Sequence, residues 1–112
     1  MGDGKDLLEN LSLELRRGTL TLCVLSQMAE KKYGYALVQS LEGKGVPIDP
    51  NTLYPLLRRL EGQGLLACSW ETDGPKPRKY YCRTPYGDEV YRQLKTLWAG
   101  LSAGIDNLLK ED

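Results

Sequence analysis

The sequence predicts a mainly α-helical fold carrying one small β-hairpin, and three observations predict it. Residues 50–61 read as an amphipathic helix, residues 65–84 as two β-prone runs around an Asp-Gly-Pro turn, and residues 85–110 as a helix with an unbroken apolar stripe. At 112 residues the chain is one domain, and a domain of this size buries only roughly two-thirds of its unfolded surface.

From the N-terminus, Leu7, Leu8, Leu11 and Leu15 recur at helical spacing, and Leu20, Leu22, Cys23, Leu25 and Met28 continue an apolar pattern after Gly18. An interior glycine costs a helix only about 1 kcal/mol, so the expectation is one continuous helix from about residue 5 to 30 rather than two helices meeting near Gly18. The leucines before Gly18 have little domain of their own to cover them. Leu8 and Leu11 are therefore assigned to contact with a second subunit, with packing on the same subunit as the alternative.

Tyr33 to Glu42 reads as a second amphipathic helix with Ala36, Leu37 and Leu41 apolar, joined by Gly43-Lys-Gly-Val-Pro-Ile-Asp49 to the helix at 50–61. In that next helix, 100° per residue gathers Leu53, Leu56, Leu57 and Leu60 on one side. Asn51, Pro55 and Arg58 point the opposite way, flanked by Thr52, Tyr54 and Arg59. The first face suits a core. The second carries amide, hydroxyl, phenol and guanidinium groups, which bind phosphates and base edges in a DNA groove, and no carboxylate to repel the backbone.

Gly62-Gln-Gly64 ends the helix. Leu65 to Glu71 and Arg78 to Thr84 form the two runs of the hairpin, and its tip and return strand carry Lys76, Arg78, Lys79 and Arg83. Helix, turn, helix and basic hairpin in that order make a winged helix-turn-helix over residues 5–84, whose second helix enters the major groove while the wing reaches adjacent phosphates. The expected DNA-binding set is Asn51, Thr52, Tyr54, Arg58 and Arg59 on the helix, Tyr33 and Tyr35 beside it, and Lys76, Arg78 and Lys79 on the wing. The expected partner is double-stranded DNA.

Thr84-Pro85 is a capping residue followed by the residue best tolerated at the first helical position. Val90, Leu94, Leu97, Trp98, Leu101, Ile105, Leu108 and Leu109 then follow at three- and four-residue steps, with Gly100 and Gly104 beside the stripe. Such a stripe is too long for a domain this small to cover alone. Residues 85–110 are therefore assigned as a C-terminal dimerisation helix, with Leu94, Leu97, Leu101, Ile105 and Leu108 in a homodimer interface. Two heads related by a two-fold axis would read a pseudo-palindromic operator.

Formal net charge is zero, but it is uneven: residues 33–83 hold seven Lys or Arg against five Asp or Glu, and residues 84–112 hold three against five. Phosphate contacts need local positive charge, not a basic total. With no histidine and no glycine-rich phosphate loop, the usual general base, zinc ligand and phosphate cradle are missing, so neither an enzyme nor a metal or cofactor site is expected. Cys23 reads as a small core residue. Cys68 and Cys82 are symmetric about Pro75, with the expectation that they face each other as reduced thiols, the alternative being a disulfide or redox switch. No run approaches the roughly 20 apolar residues that span a bilayer, and the first residues lack a secretory pattern, so the expected location is cytoplasmic.

Four segments together, Leu15-Arg-Arg-Gly-Thr-Leu20, Tyr33-Gly-Tyr35, Asn51 to Glu61 followed by Gly64-Leu65, and Arg78 to Thr84, resemble the PadR-type bacterial transcriptional regulators. The resemblance runs from about residue 7 to the last helix. It implies a dimeric winged-helix protein, most often a repressor, with the wing formed by the hairpin and the dimer made largely by the C-terminal helix. Asn51 stands where many members have Gly, and Tyr33 where many have His. Some members bind planar aromatic compounds between their subunits, which makes Trp98 a candidate to stack on a small aromatic effector, the alternative being a dimer-core residue. Two other functional classes are left open: a winged-helix protein-interaction module that never touches DNA, and, more weakly because no acid-base constellation exists, a small-molecule binder or enzyme built between the subunits.

Overall fold

The computed structural model describes residues 4–112. In chain order these form α1 (Gly4–Arg17), α2 (Leu20–Ser26), β1 (Lys32–Tyr33), α3 (Gly34–Gly43), α4 (Pro50–Gly62), β2 (Leu66–Glu71), β3 (Arg78–Arg83) and α5 (Pro85–Leu109). The fold is mainly helical with a small antiparallel sheet, in the winged-helix arrangement. No helix among the described residues is long and apolar enough to cross a membrane.

The N-terminal helix is not continuous. The Thr19 amide bonds the Arg16 carbonyl at 3.0 Å, the Thr19 hydroxyl donates to the same carbonyl at 2.8 Å, and the Cys23 amide restarts a ladder on the Thr19 carbonyl at 3.0 Å. Glycine's small helix penalty would not break the helix alone. A threonine beside it, offering the backbone a local hydrogen bond in place of the ladder, does.

A second correction concerns Tyr33. It lies in β1, not in a helix, and pairs with Tyr80 while Lys32 pairs with Tyr81, giving a three-stranded sheet in the order β1-β3-β2. Two residues are too few to show a period of two in sequence, so this strand was invisible to pattern.

A third correction concerns the cysteines. The β2–β3 ladder pairs Cys68 with Tyr81 and Ala67 with Cys82, because it is centred between Gly74 and Pro75 rather than on Pro75. A one-residue offset turns a side chain to the opposite face, so the two sulfurs point apart and all three cysteines are free.

The core joins Val24, Leu25 and Met28 at the end of α2, Leu37 and Leu41 of α3, and Leu53, Leu56, Leu57 and Leu60 of α4. Leu65, Leu66 and Tyr81 from the sheet side complete it. The base of α5 is fastened to this core by two joints. Thr84 caps the helix, accepting from the Gly87 amide at 2.9 Å and donating to the Gly64 carbonyl at 2.6 Å; Gly87 is buried, and a Cβ there would collide with the Leu65 carbonyl. Arg83 donates from Nε to Asp88 at 2.7 Å and from its guanidinium to the Leu25 carbonyl, with Tyr91 stacked 4.4 Å away. Arg83, grouped with the wing cations by sequence, is thus an internal tie between α2, β3 and α5.

Val90, Tyr91 and Leu94 still pack against the core. Beyond them α5 leaves it, and Leu101 is 59% exposed; α1 buries none of its residues, and Leu8 is 66% exposed. The accessible surface is 8082 Å², against roughly 6,200 Å² expected of a compact monomer of this mass. The radius of gyration is 16.5 Å, where a compact chain of this length has about 13 Å. The surplus lies on the two projecting helices.

Candidate nucleic-acid interface

Helix α4 presents the two faces its sequence encodes. Leu53, Leu56, Leu57 and Leu60 are buried, and Asn51, Thr52, Tyr54, Pro55, Arg58 and Arg59 are exposed. The helix begins with Asp49 as N-cap, whose carboxylate accepts from the Asn51 amide at 2.8 Å, followed by Pro50 at the first helical position. Among the described residues the Asn51 carboxamide makes no hydrogen bond, and neither Arg58 nor Arg59 is in an ion pair. The outward face therefore offers free donors, acceptors and positive charge on one rigid rod.

Asp49 was not foreseen as a functional position, although Asp-Pro ahead of an apolar-periodic run is a helix-start signature. Its consequence is electrostatic. The partial positive charge at a helix N-terminus normally attracts an anion, and here the cap carboxylate already occupies it. The outward face of α4 therefore starts, at Asn51, beside a capped and negatively charged helix end, and continues along the side through Tyr54 and Arg58.

Tyr54 leans back over the start of α3. A Cβ on Gly34 would come within 2.8 Å of the Tyr54 phenol oxygen and still closer to the ring, so only glycine lets the ring lie there. The Tyr33-Gly-Tyr35 segment thereby has a physical reason: Tyr33 enters the sheet, Gly34 makes room for Tyr54, and Tyr35 stands exposed beside it.

The wing divides its cations between two faces. On the face away from the core, Arg78 stacks on Tyr33 at 4.7 Å, Tyr33 meets Tyr80 edge-on at 5.5 Å, and Lys31 lies 5.3 Å from Tyr80 while pairing with Glu71 at 2.7 Å. That hydrogen bond holds the Lys31 ammonium above its ordinary pKa. Arg78 keeps its charge free of any carboxylate among the described residues, and the tyrosine fixes its plane. Lys76 is exposed at the tip.

Lys79 is placed otherwise than the sequence grouping with Lys76 and Arg78 implied. Neighbouring strand residues point to opposite faces, so Lys79 turns inward, where its ammonium donates to Glu61 at 3.1 Å and sits 5.2 Å from the Tyr81 ring. The other Glu61 oxygen accepts from the Cys68 thiol at 2.9 Å. These two hydrogen bonds, the thiol's first, hold the Glu61 carboxyl below the usual glutamate range, while the carboxylate keeps Cys68 protonated and Lys79 charged. Because the folded pKa of Glu61 is depressed, the contribution of this cluster is complete above the ordinary glutamate value and fades only as pH falls through the lowered one.

Trp98 is partly exposed and lines a groove of about 800 Å³ between the α1–α2 turn and α5, together with Leu15, Leu22, Leu97, Leu101 and Ile105. Cys23 packs partly against the core, and burial pushes its thiol pKa up.

Comparison with known proteins places this geometry. Residues 21–97 match the transcriptional regulator PadR-like family. The transcriptional regulator Rv3488 of Mycobacterium tuberculosis is 36% identical over 75 residues, 66% of this chain and 70% of that protein. The crystal structure of a PadR family transcriptional regulator from Eggerthella lenta is similar over 96% of both chains, with a TM-score of 0.87 and 53% identity. A PadR-like transcriptional regulator from Bacillus cereus covers 88% of this chain and 99% of its own, with a TM-score of 0.78 and 29% identity.

Proposed function

Since the chain belongs to the PadR-like family of transcriptional regulators, we propose that it is a homodimeric DNA-binding repressor whose α4 helices enter successive major grooves of a pseudo-palindromic operator. The observation that carries this reading is the outward face of α4, where Asn51, Thr52, Tyr54, Arg58 and Arg59 stand exposed and uncompensated opposite four buried leucines. Asn51 reads base edges, Tyr54 and Arg58 seat the helix, Arg59 and Tyr35 border the groove, and Lys76 and the Tyr33-stacked Arg78 hold flanking phosphates. A protein partner would more often require exposed apolar anchors in place of this mixed polar set.

The dimer in this proposal is formed by α1 and α5, with Leu8, Leu11, Leu97, Leu101, Ile105 and Leu108 covered by the second subunit and Leu94 at the edge of each head. The surplus of exposed surface is of the size that permanent dimers bury per subunit. Half-sites then lie about one helical turn, ~34 Å, apart. The Trp98 groove opens on the same apolar surface. A planar aromatic effector stacked there releases the operator if it fits only one separation of the two heads, each tenfold loss of DNA affinity requiring about 1.4 kcal/mol of preference.

The test is a fluorescence-anisotropy titration with promoter DNA of the chain's own operon. Binding that weakens steeply with salt, and that Arg58→Ala reduces at operator and random DNA alike while Asn51→Ala alters sequence preference, is the expected result. Absence of binding at low salt would reject the reading.

A further inference from the structure

The cluster of Glu61 at the end of α4, Cys68 on β2 and Lys79 on β3 takes no part in the DNA contacts proposed above. Glu61 is the sole acidic residue of α4, and among the described residues its carboxylate makes the one ion pair that joins α4 to the sheet. It is shared: one oxygen takes a proton donor from β2, the Cys68 thiol, and the other takes one from β3, the Lys79 ammonium. All three groups sit on the core side of the wing, away from the face that carries Arg78. A carboxylate that reaches both strands of a hairpin from the last turn of a helix restrains the angle between the two. The groups are half-buried, which favours one geometry without locking it.

We propose that Glu61 is a positioning residue that sets the wing against the recognition helix, and that Lys79 serves DNA binding through Glu61 rather than by touching a phosphate. This rests on the DNA-binding reading above. The alignment matters because α4 and the wing must meet the same duplex together; a wing free to swing pays for its ordering only when DNA arrives. The pairing also neutralises the helix's only carboxylate, so that it does not repel the phosphates that Arg58 and Arg59 approach.

Three variants test the assignment: Glu61→Gln, Lys79→Met and the double variant. Operator affinity is measured across salt concentrations in the full-length protein. A lysine that contacts phosphate flattens the plot of log K against log salt by about one unit when removed. A positioning lysine leaves the slope unchanged and lowers operator affinity by ~2–5-fold, the range of a partly exposed hydrogen-bonded ion pair. Each single variant is expected to show this smaller loss with unchanged slope, and the double variant to be no worse than the poorer single one, since all three break one shared contact. A flattened slope for Lys79→Met, or tighter binding for Glu61→Gln as the freed lysine reaches DNA, would overturn the proposal.

A second measurement needs no DNA. Amide hydrogen exchange across residues 66–83 of the free protein should accelerate in Glu61→Gln and in Lys79→Met while the α4 amides around Leu57 keep their protection. Unchanged exchange in the wing removes the restraint itself. Failure of the wild-type protein to bind any duplex, with wing exchange accelerated in the variants, would instead strike the DNA reading and leave the restraint standing.

Discussion

The winged head and the two projecting helices obey opposite rules. In the head, every large apolar residue of α4's inner face is buried, and the cations that turn inward, Arg83 and Lys79, each find a carboxylate. On α1 and the outer half of α5, leucines at the same helical spacing stand in solvent. Sequence periodicity is equally strong in both. A hydrophobic stripe therefore states that something covers it, while only the geometry tells whether the cover is the same chain.

The sharpest way to test this contrast is to truncate one leucine of each kind. Leu57→Ala, in the fully buried head, should cost about 2–5 kcal/mol of stability by urea unfolding, at every protein concentration. Leu101→Asp should leave the head folded but weaken association by roughly two orders of magnitude, converting a dimer into monomer or aggregate in sedimentation velocity. A wild-type chain that sediments as a monomer at micromolar concentration, or a Leu101→Asp protein indistinguishable from it, would show that the projecting helices are simply exposed and would remove the contrast.

A smaller effect probes the seam between α3 and α4. Gly34→Ala drives a methyl group into the Tyr54 ring, and because that ring is exposed and can swing aside the cost should stay below about 1 kcal/mol, with the ring displaced from the outward face of α4. Adding Tyr54→Ala should recover most of that loss, because the clash disappears with the ring. If the double variant is as unstable as the single one, the glycine answers to backbone conformation and not to the tyrosine.

These cases also mark how far the sequence could be read. The two faces of α4, the cap at Thr84 and the path of α5 follow from local rules, spacing and a capping pair, and the structure agrees with them. The errors arose where two weak signals combined or where the register was non-local. Gly18 and Thr19 each perturb a helix slightly and together end it. Tyr33 reads as the first residue of a helix because its strand partner, Tyr80, lies 47 positions away. Cys68 and Cys82 do not face each other because the ladder is offset by a single residue, and turn composition does not determine that offset. Lys79 and Arg78 lie on opposite faces by strand alternation alone. The pairing of Lys79 with Glu61 requires the register and the docking of α4 together, so no segment alone contains it. At the candidate site the identities of the outward residues were legible, but the division of the wing cations between two faces was not.

The smallest expected effect separates folding from function at one residue. Asp49 caps α4, and its carboxylate stands where a phosphate would otherwise be drawn by the helix dipole. Asp49→Ser keeps an oxygen to accept the Asn51 amide, so stability should change by less than about 0.5 kcal/mol, whereas Asp49→Ala should lose about 1 kcal/mol. Removing the charge while keeping the cap exposes the positive end of α4 to the DNA backbone, a change worth roughly 0.3–1 kcal/mol. The serine variant should therefore bind random-sequence duplex about two- to fivefold tighter at low salt, with operator affinity rising less, so that discrimination falls. Anisotropy with operator and scrambled duplexes measures both. If the serine variant binds random DNA no more tightly than the wild type, the tip of α4 does not approach the backbone, and Asp49 serves the fold alone.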